Sequence, residues 1–248
     1  MPSPRSLLLD PERHEVRPAE AARALGRVVV LAPHADDESL GCGGLLALLA
    51  EAGVPAHVVV VTDGTKSHPN SASHPPPRLR ALREAEALAA VGHLGHAGRV
   101  EFLRHPDSGL PAEGTAAFDA AAGRLRSLLD DLRPDTLLVP WRRDPHCDHE
   151  GTWQLARARR AEGVRWLEYP VWAWPHAHDA AVAPHDGEAA AWRLDVSSVA
   201  ERKARAVAAH RSQTTDLIGD DPDGFRLLPD VLAHFQRPWE LFVEPNDA

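Results

Sequence analysis

Short apolar runs alternate along this chain with longer amphipathic stretches. Arg27-Val-Val-Val-Leu-Ala-Pro33 is a β-branched run closed by proline and reads as a buried strand. His57–Thr62 repeats the pattern and ends at Asp63-Gly64. Between them Ser39–Gly53 carries Leu45, Leu46, Leu48, Leu49 and a closing glycine, which predicts a helix with a C-terminal stop. The same patterning predicts strands at Val100–Arg104, Thr136–Pro140, Arg165–Trp172 and Trp192–Val196. It predicts helices at Arg78–Val91, Thr115–Leu132, Gly151–Glu162 and Val199–His210, with a short one at Asp230–Phe235. Residues 1–26 read as a leader ending in a short helix, Pro18–Leu25. Residues 65–77, with Pro69, Asn70, Pro75, Pro76 and Pro77, read as a mobile loop, and 173–191 as an irregular excursion. No internal repeat or long low-complexity tract breaks this order.

Strands alternating with helices of this length imply βαβ units. The expectation is an α/β, Rossmann-like three-layer sandwich: a mostly parallel sheet with helices on both faces, one domain over 1–248 with its core at about 27–215. In such sheets the ligand sits beyond the carboxyl ends of the strands. The places to look are just after Pro33, Thr62, Arg104 and Pro140.

Polar clusters stand at these ends. The first is His34-Ala35-Asp36-Asp37-Glu38, the second Asp63-Gly64-Thr65, and another runs from Arg142 through Asp144, His146, Cys147, Asp148 and His149 to Glu150. Delivering His, Asp, Asp and Glu from a buried strand is costly unless the charges pair or bind a cation. Taken alone, His146-x-x-His149 is a weak metal signal, and the acidic cluster could equally cap the following helix. Together, at two strand ends of one sheet, they point to a shared metal site. Mixed imidazole and carboxylate donors suit Zn²⁺, with Fe²⁺ in its place as an alternative, and three protein ligands leave a position open for catalysis.

Composition narrows the classes. There are 27 Lys+Arg against 36 Asp+Glu, a net charge of −9, which argues against a nucleic-acid or anionic-membrane partner. Two cysteines cannot build a disulfide framework. Met1–Arg23 has no apolar signal region and no apolar run is long enough to span a bilayer, so the cytoplasm is the expected location. The unusual number is 15 His. His34, His146 and His149 are expected to do chemistry, with His210 as a fourth candidate; His68, His74, His93, His96, His176, His178 and His185 are expected at the surface.

The stretch Pro33-His34-Ala35-Asp36-Asp37-Glu38, with Gly41, Gly43 and Gly44 behind it, resembles the signature of the PIG-L/LmbE family of zinc-dependent N-deacetylases. Thr62-Asp63-Gly64, Arg83-x-x-Glu86, Asp144-Pro145-His146-Cys147-Asp148-His149 and the late Lys203…His210-Arg211-Ser212-Gln213 resemble its further motifs in order. Ala35 and Cys147 stand where proline is common in the family, and neither is a ligand position. The resemblance implies that His34, Asp37 and His149 hold zinc and that Asp36 is the general base. It implies that His146, oriented by Asp148, stabilises the oxyanion or protonates the leaving amine. Arg83 would reach substrate hydroxyls, with Asp107 and His210 as further substrate-site candidates. The implied partner is a small amino-sugar or glycoconjugate substrate, and a homo-oligomer stays open. The competing readings are a non-haem Fe²⁺ facial-triad enzyme, disfavoured by the His-x-x-Asp spacing and the helix–strand alternation, and a sugar- or nucleotide-binding module without catalysis. Trp141, Trp172 and Trp174 are candidates for stacking on a sugar ring, with core packing expected for at least two. Asp63 reads equally as pocket floor or turn, and Cys42 and Cys147 as small hydrophobes rather than a pair.

Overall fold

A computed structural model describes residues 5–158, 160 and 162–246. Eight strands form one sheet: β1 (Glu15–Arg17), β2 (Val28–Ala32), β3 (Ala56–Thr62), β4 (Val100–His105), β5 (Thr136–Pro140), β6 (Arg165–Tyr169), β7 (Ala189–Asp195) and β8 (Trp239–Pro245). Their spatial order is β1-β7-β8-β6-β5-β2-β3-β4. All pairings are parallel except that β8 runs antiparallel to both β6 and β7. The helices are α1 (Asp37–Glu51), α2 (Pro76–His93), α3 (Ala116–Leu132), α4 (Cys147–Arg157), α5 (Ala200–Ala209), α6 (Arg211–Thr214) and α7 (Pro229–Phe235).

Alternation along β2 builds the layers. Val28, Val30 and Ala32 pack with α1, α2 and α5 on one face, while Val29 and Leu31 pack with α3 and α4 on the other. The expected α/β sandwich, mostly parallel with helices on both faces, is therefore the fold. Among the described residues no helix is long and apolar enough to cross a membrane.

Two strands stand where the sequence predicts none. Glu15–Arg17, inside the expected leader, is a three-residue edge strand parallel to β7, too short and polar to show alternation. Trp239–Pro245 closes the sheet between β6 and β7, and its pairing with Ala189–Asp195 draws Ala189, Ala190 and Ala191 out of the expected irregular excursion. Cross-strand partners decide where these segments sit, and propensity does not report that. Helix ends shift in ways that matter for the site. α1 begins at Asp37 and α4 at Cys147, so both metal motifs sit on first helical turns. The predicted extension of α4 to Glu162 instead stops at Arg157, and residues 159 and 161 lie outside the described residues. The predicted Val199–His210 helix ends at Ala209, and His210 is the joint to α6. The 65–77 loop is pinned. Asp220 accepts hydrogen bonds from Ser71 Oγ and from Ser73 N and Oγ, Asp221 accepts from Asn70 N, and Phe225 N donates to Ser67 O.

The glycines of α1 let it press into this frame. A Cβ at Gly41 would strike the Tyr169 ring, and one at Gly44 would lie 2.5 Å from Val196 Cβ. Both neighbours are buried and cannot yield cheaply. Gly44→Ala is therefore expected to destabilise the fold by about 1–3 kcal/mol through overpacking, despite the gain in helix propensity. An unchanged denaturant midpoint would show that the contact is not tight.

Candidate metal centre

β2 lies between β3 and β5, so the chain departs in opposite directions from this pair of neighbours and leaves a crevice beyond their carboxyl ends. The segment His34–Asp37 arrives from β2, and His146–His149 from β5. Asp37, the first residue of α1, accepts from His34 N at 2.9 Å, and its carboxylate suits the positive end of the helix. Asp36 has φ 145° and ψ −29°, a conformation that costs a residue with a side chain about 1–3 kcal/mol unless its surroundings impose it.

Asp37 Oδ2 sits between two imidazoles, 3.4 Å from His34 Nδ1 and 3.3 Å from His149 Nε2. Donor atoms bound about 2.0–2.1 Å from one ion at tetrahedral angles lie about 3.3 Å apart, so each of these two separations is that of a pair of ligands on one cation. His149 is wholly buried, and its Nε2 has no aligned hydrogen-bond partner. The far nitrogen of each ring faces a carboxylate: His34 Nε2 is 2.9 Å from Asp148 Oδ2, and His149 Nδ1 is 2.7 Å from Asp144 Oδ2. Carboxylates on the outer nitrogens of ligand imidazoles fix ring orientation and raise donor strength. Burial alone would lower both imidazoles. The surrounding carboxylates win, holding His34 well above its ordinary value and lifting His149 to about 9. Burial likewise works against the Asp37 carboxylate, but the charges and hydrogen bonds of His149 and His34 hold it well below its usual range. The same field would hold a divalent cation.

Ligand atoms of His34, His146 and His149 also come within 4.8 Å of one another. His146 differs from the other two, because its Nδ1 accepts from Asp148 N at 3.2 Å. In a neutral ring that contact leaves the proton on Nε2, so His146 can donate from that nitrogen. Asp148 does not serve His146 as expected. Its carboxylate accepts from His34 and from Ser108 N, and only its backbone meets His146. Burial, then the charges of His34 and His149, push the His146 pKa down.

The cavity beside these groups measures about 380 Å³ and is lined by His34, Asp36, Asp37, Arg83, Asp107 and His146 among others. Arg83 is buried; it donates to Ala35 O and Gly64 O and lies 3.5 Å from Asp36 Oδ2. Asp107 accepts from Lys66 N and Ser108 Oγ. Burial opposes its charge, yet His34, the Lys66 N–H and the Arg83 charge hold its carboxyl well below the usual range. Burial pushes the Asp36 carboxyl up to about 6; Arg83 pulls against this and the Asp37 charge adds to it.

The structure moves His210 away from the pocket wall. It is 1% exposed and faces Glu38 and Ser39 behind Asp36. Asp63 takes the turn role, accepting from Thr65 N and Oγ1 and from Asp107 N. Cys42 and Cys147 are both free. Trp172 reaches the cavity, whereas Trp141 is core and Trp174 packs on His234 and Trp239. His68, His96 and His185 are buried, not superficial, and His176 lines the cavity. Lys66, Ser67, Ser108 and Phe225, which the sequence reading gave no role, also line it, and Asp144, named there only as part of a motif, backs His149. The strand-end rule applied to β6 would have found Trp172 and His176, because both follow its carboxyl end.

Fold and site define an α/β enzyme whose His/carboxylate centre could hold a metal ion at the switch point of the sheet. The chain belongs to the PIG-L family of amide hydrolases, whose profile, described as GlcNAc-PI de-N-acetylase, matches residues 29–159, more than half of the chain. It is 29% identical over 198 residues to a 4-oxalmesaconate hydratase of Pseudomonas putida, covering 75% of this chain and 73% of that protein. It is 27% identical over 211 residues to a 2'-N-acetylparomamine deacetylase of Streptomyces fradiae, covering 77% and 75%. The fold matches that of N,N'-diacetylchitobiose deacetylase from Pyrococcus horikoshii with a TM-score of 0.63 at 24% identity, over 88% of this chain and 84% of that one.

Proposed function

We propose that this protein is a zinc-dependent hydrolase that removes an N-acetyl group from an amino sugar or an amino-sugar conjugate. The observation that carries this reading is Asp37 Oδ2 set between His34 Nδ1 and His149 Nε2, with Asp36 and His146 on the same cavity. The kinship with the Streptomyces deacetylase supports the amide as the bond cleaved. His34, Asp37 and His149 would hold the zinc, which when bound supplies a Lewis acid that acidifies water and polarises the amide carbonyl. Asp36, held beside them and not used as a ligand, accepts the proton of the attacking water. His146 offers Nε2–H to the oxygen that gains charge in the tetrahedral transition state. Asp36 then returns its proton to the leaving nitrogen, giving free amine and acetate. Arg83 and Asp107 stand where sugar hydroxyls would be bound, and the edge-to-face pair of Trp172 and Phe225, 5.8 Å between centroids, gives the cavity an apolar wall.

Acetate release from a panel of N-acetylglucosamine conjugates checks this. Release is expected from at least one, abolished by a chelator and restored by Zn²⁺. No chelator-sensitive release from any N-acyl amino sugar by the zinc-loaded chain would overturn it.

A further inference from the structure

We propose that the buried pair Glu38–His210, together with the following Ser212, is a positioning unit that fixes Asp36 in its strained conformation and so sets the turnover rate. The proposal rests on the functional reading above for what Asp36 does, but its structural content stands apart from it. Glu38 is wholly buried, and its two carboxylate oxygens face different ways. Oε2 accepts the Asp36 backbone N–H at 3.0 Å, while Oε1 accepts from Ser39 Oγ at 2.6 Å and meets His210 Nε2 at 2.9 Å. His210, at the joint between α5 and α6, thus reaches the backbone of Asp36 through a single carboxylate.

The same segment also anchors α2, the helix that carries Arg83 to the Asp36 side chain. Ser212 donates from N and Oγ to the two oxygens of Glu86, at 2.8 and 2.6 Å. Glu86 lies one turn from Arg83 on α2, and the Arg83 guanidinium bonds Ala35 O at 2.9 Å and lies 3.5 Å from Asp36 Oδ2. The 210–212 segment therefore holds the Asp36 N–H through Glu38 and fastens α2 at Glu86, the helix from which Arg83 meets the Asp36 carboxylate. A charged acceptor on a backbone N–H is among the stronger hydrogen bonds, and strained backbone persists only where its surroundings over-determine it. Apolar residues could fill the same volume without desolvating two ionisable groups, so what the pair supplies is geometry. None of Glu38, His210 and Ser212 lines the cavity, so none of them is a catalytic residue.

The test uses the zinc-loaded full chain with Glu38→Ala, Glu38→Gln, His210→Ala and His210→Gln. It reads kcat and KM for acetate release, zinc content, and amide hydrogen exchange across residues 34–40. The alanine variants are expected to lose about 10²-fold in kcat with KM and zinc content kept, the scale of a catalytic group displaced by about 1 Å. Exchange at the Asp36 amide should rise at least about tenfold in them, as a buried N–H loses its acceptor. His210→Gln keeps a donor toward Glu38 and should recover much of both signals. A raised KM with kcat kept would overturn the proposal, since it would place His210 on the substrate. Wild-type kcat and Asp36 exchange in folded alanine variants would overturn it as well. Should the alanine variants fail to fold, Glu38→Gln decides: it keeps the volume but loses the charged acceptor, so lower kcat and faster Asp36 exchange are expected, and wild-type kcat and exchange in it would overturn the proposal. If wild type releases no acetate from any substrate, the functional reading fails while the exchange measurement still decides this one.

Discussion

Asp36→Asn is expected to leave the chain folded and zinc-loaded and to slow acetate release by about 10²–10⁴-fold, the range for a positioned general base. Asparagine keeps the shape of the side chain and its contact with Arg83 but cannot accept the proton. Asp37 cannot stand in for it. Its carboxylate is 2% exposed, is occupied between His34 and His149, and is held far below the usual range by them. Asp36 has the opposite balance, since burial raises its carboxyl to about 6 against the pull of Arg83. A bound cation beside it would draw that value back down. In wild type, activity should fall as acid protonates this carboxylate, because only the charged form accepts a proton; the asparagine variant should lose that acid limb. Steady-state rates across pH, with zinc content measured on the same samples, check both statements. An Asp36→Asn enzyme at the wild-type rate would assign the base to another group.

The elements that carry the site were legible because their signals are local. The β-branched runs at Val28–Ala32 and Thr136–Pro140 are buried on both faces and read as strands without help. The rule that ligands bind past the carboxyl ends then led directly to His34 and His149. What stayed hidden depends on partners far away in sequence. β8, Trp239–Pro245, carries the aromatic and β-branched residues of a strand and was overlooked; its place between β6 and β7 is what the sequence does not announce. Asp148 follows His146 by two residues, yet its carboxylate turns to His34, 114 residues away. His210 is polar and near a family-like motif, but only the packing of α5 on α1 decides that it faces Glu38 and not the cavity. Asp144 stands in the polar cluster after Pro140, and its sequence neighbours do not name its partners. Its carboxylate in fact accepts from the backbone N–H groups of Val171, Trp172 and Ala173, which ties the residues after β6 to the metal centre.

That tie sets the second large effect. His149→Ala should lose zinc at concentrations that saturate wild type, since it removes one of the three proposed ligands, His34, Asp37 and His149. Asp144→Ala leaves every donor in place and should weaken zinc binding by about 10–100-fold, the cost of removing a carboxylate behind a ligand imidazole. The two routes differ physically. Without His149 the coordination itself is incomplete; without Asp144 the ring is complete but free to turn, and the lost contacts to residues 171–173 loosen the wall that carries Trp172. Asp144→Ala should therefore also raise KM, while His149→Ala should abolish activity outright. Cys147, exposed on the same turn, is the control: Cys147→Ser should bind zinc as wild type does if His34, Asp37 and His149 are the ligands. Competition with a chromophoric chelator measures all three variants. Equal zinc affinity in Asp144→Ala and wild type would mean that the 2.7 Å contact to His149 Nδ1 does not orient the ring.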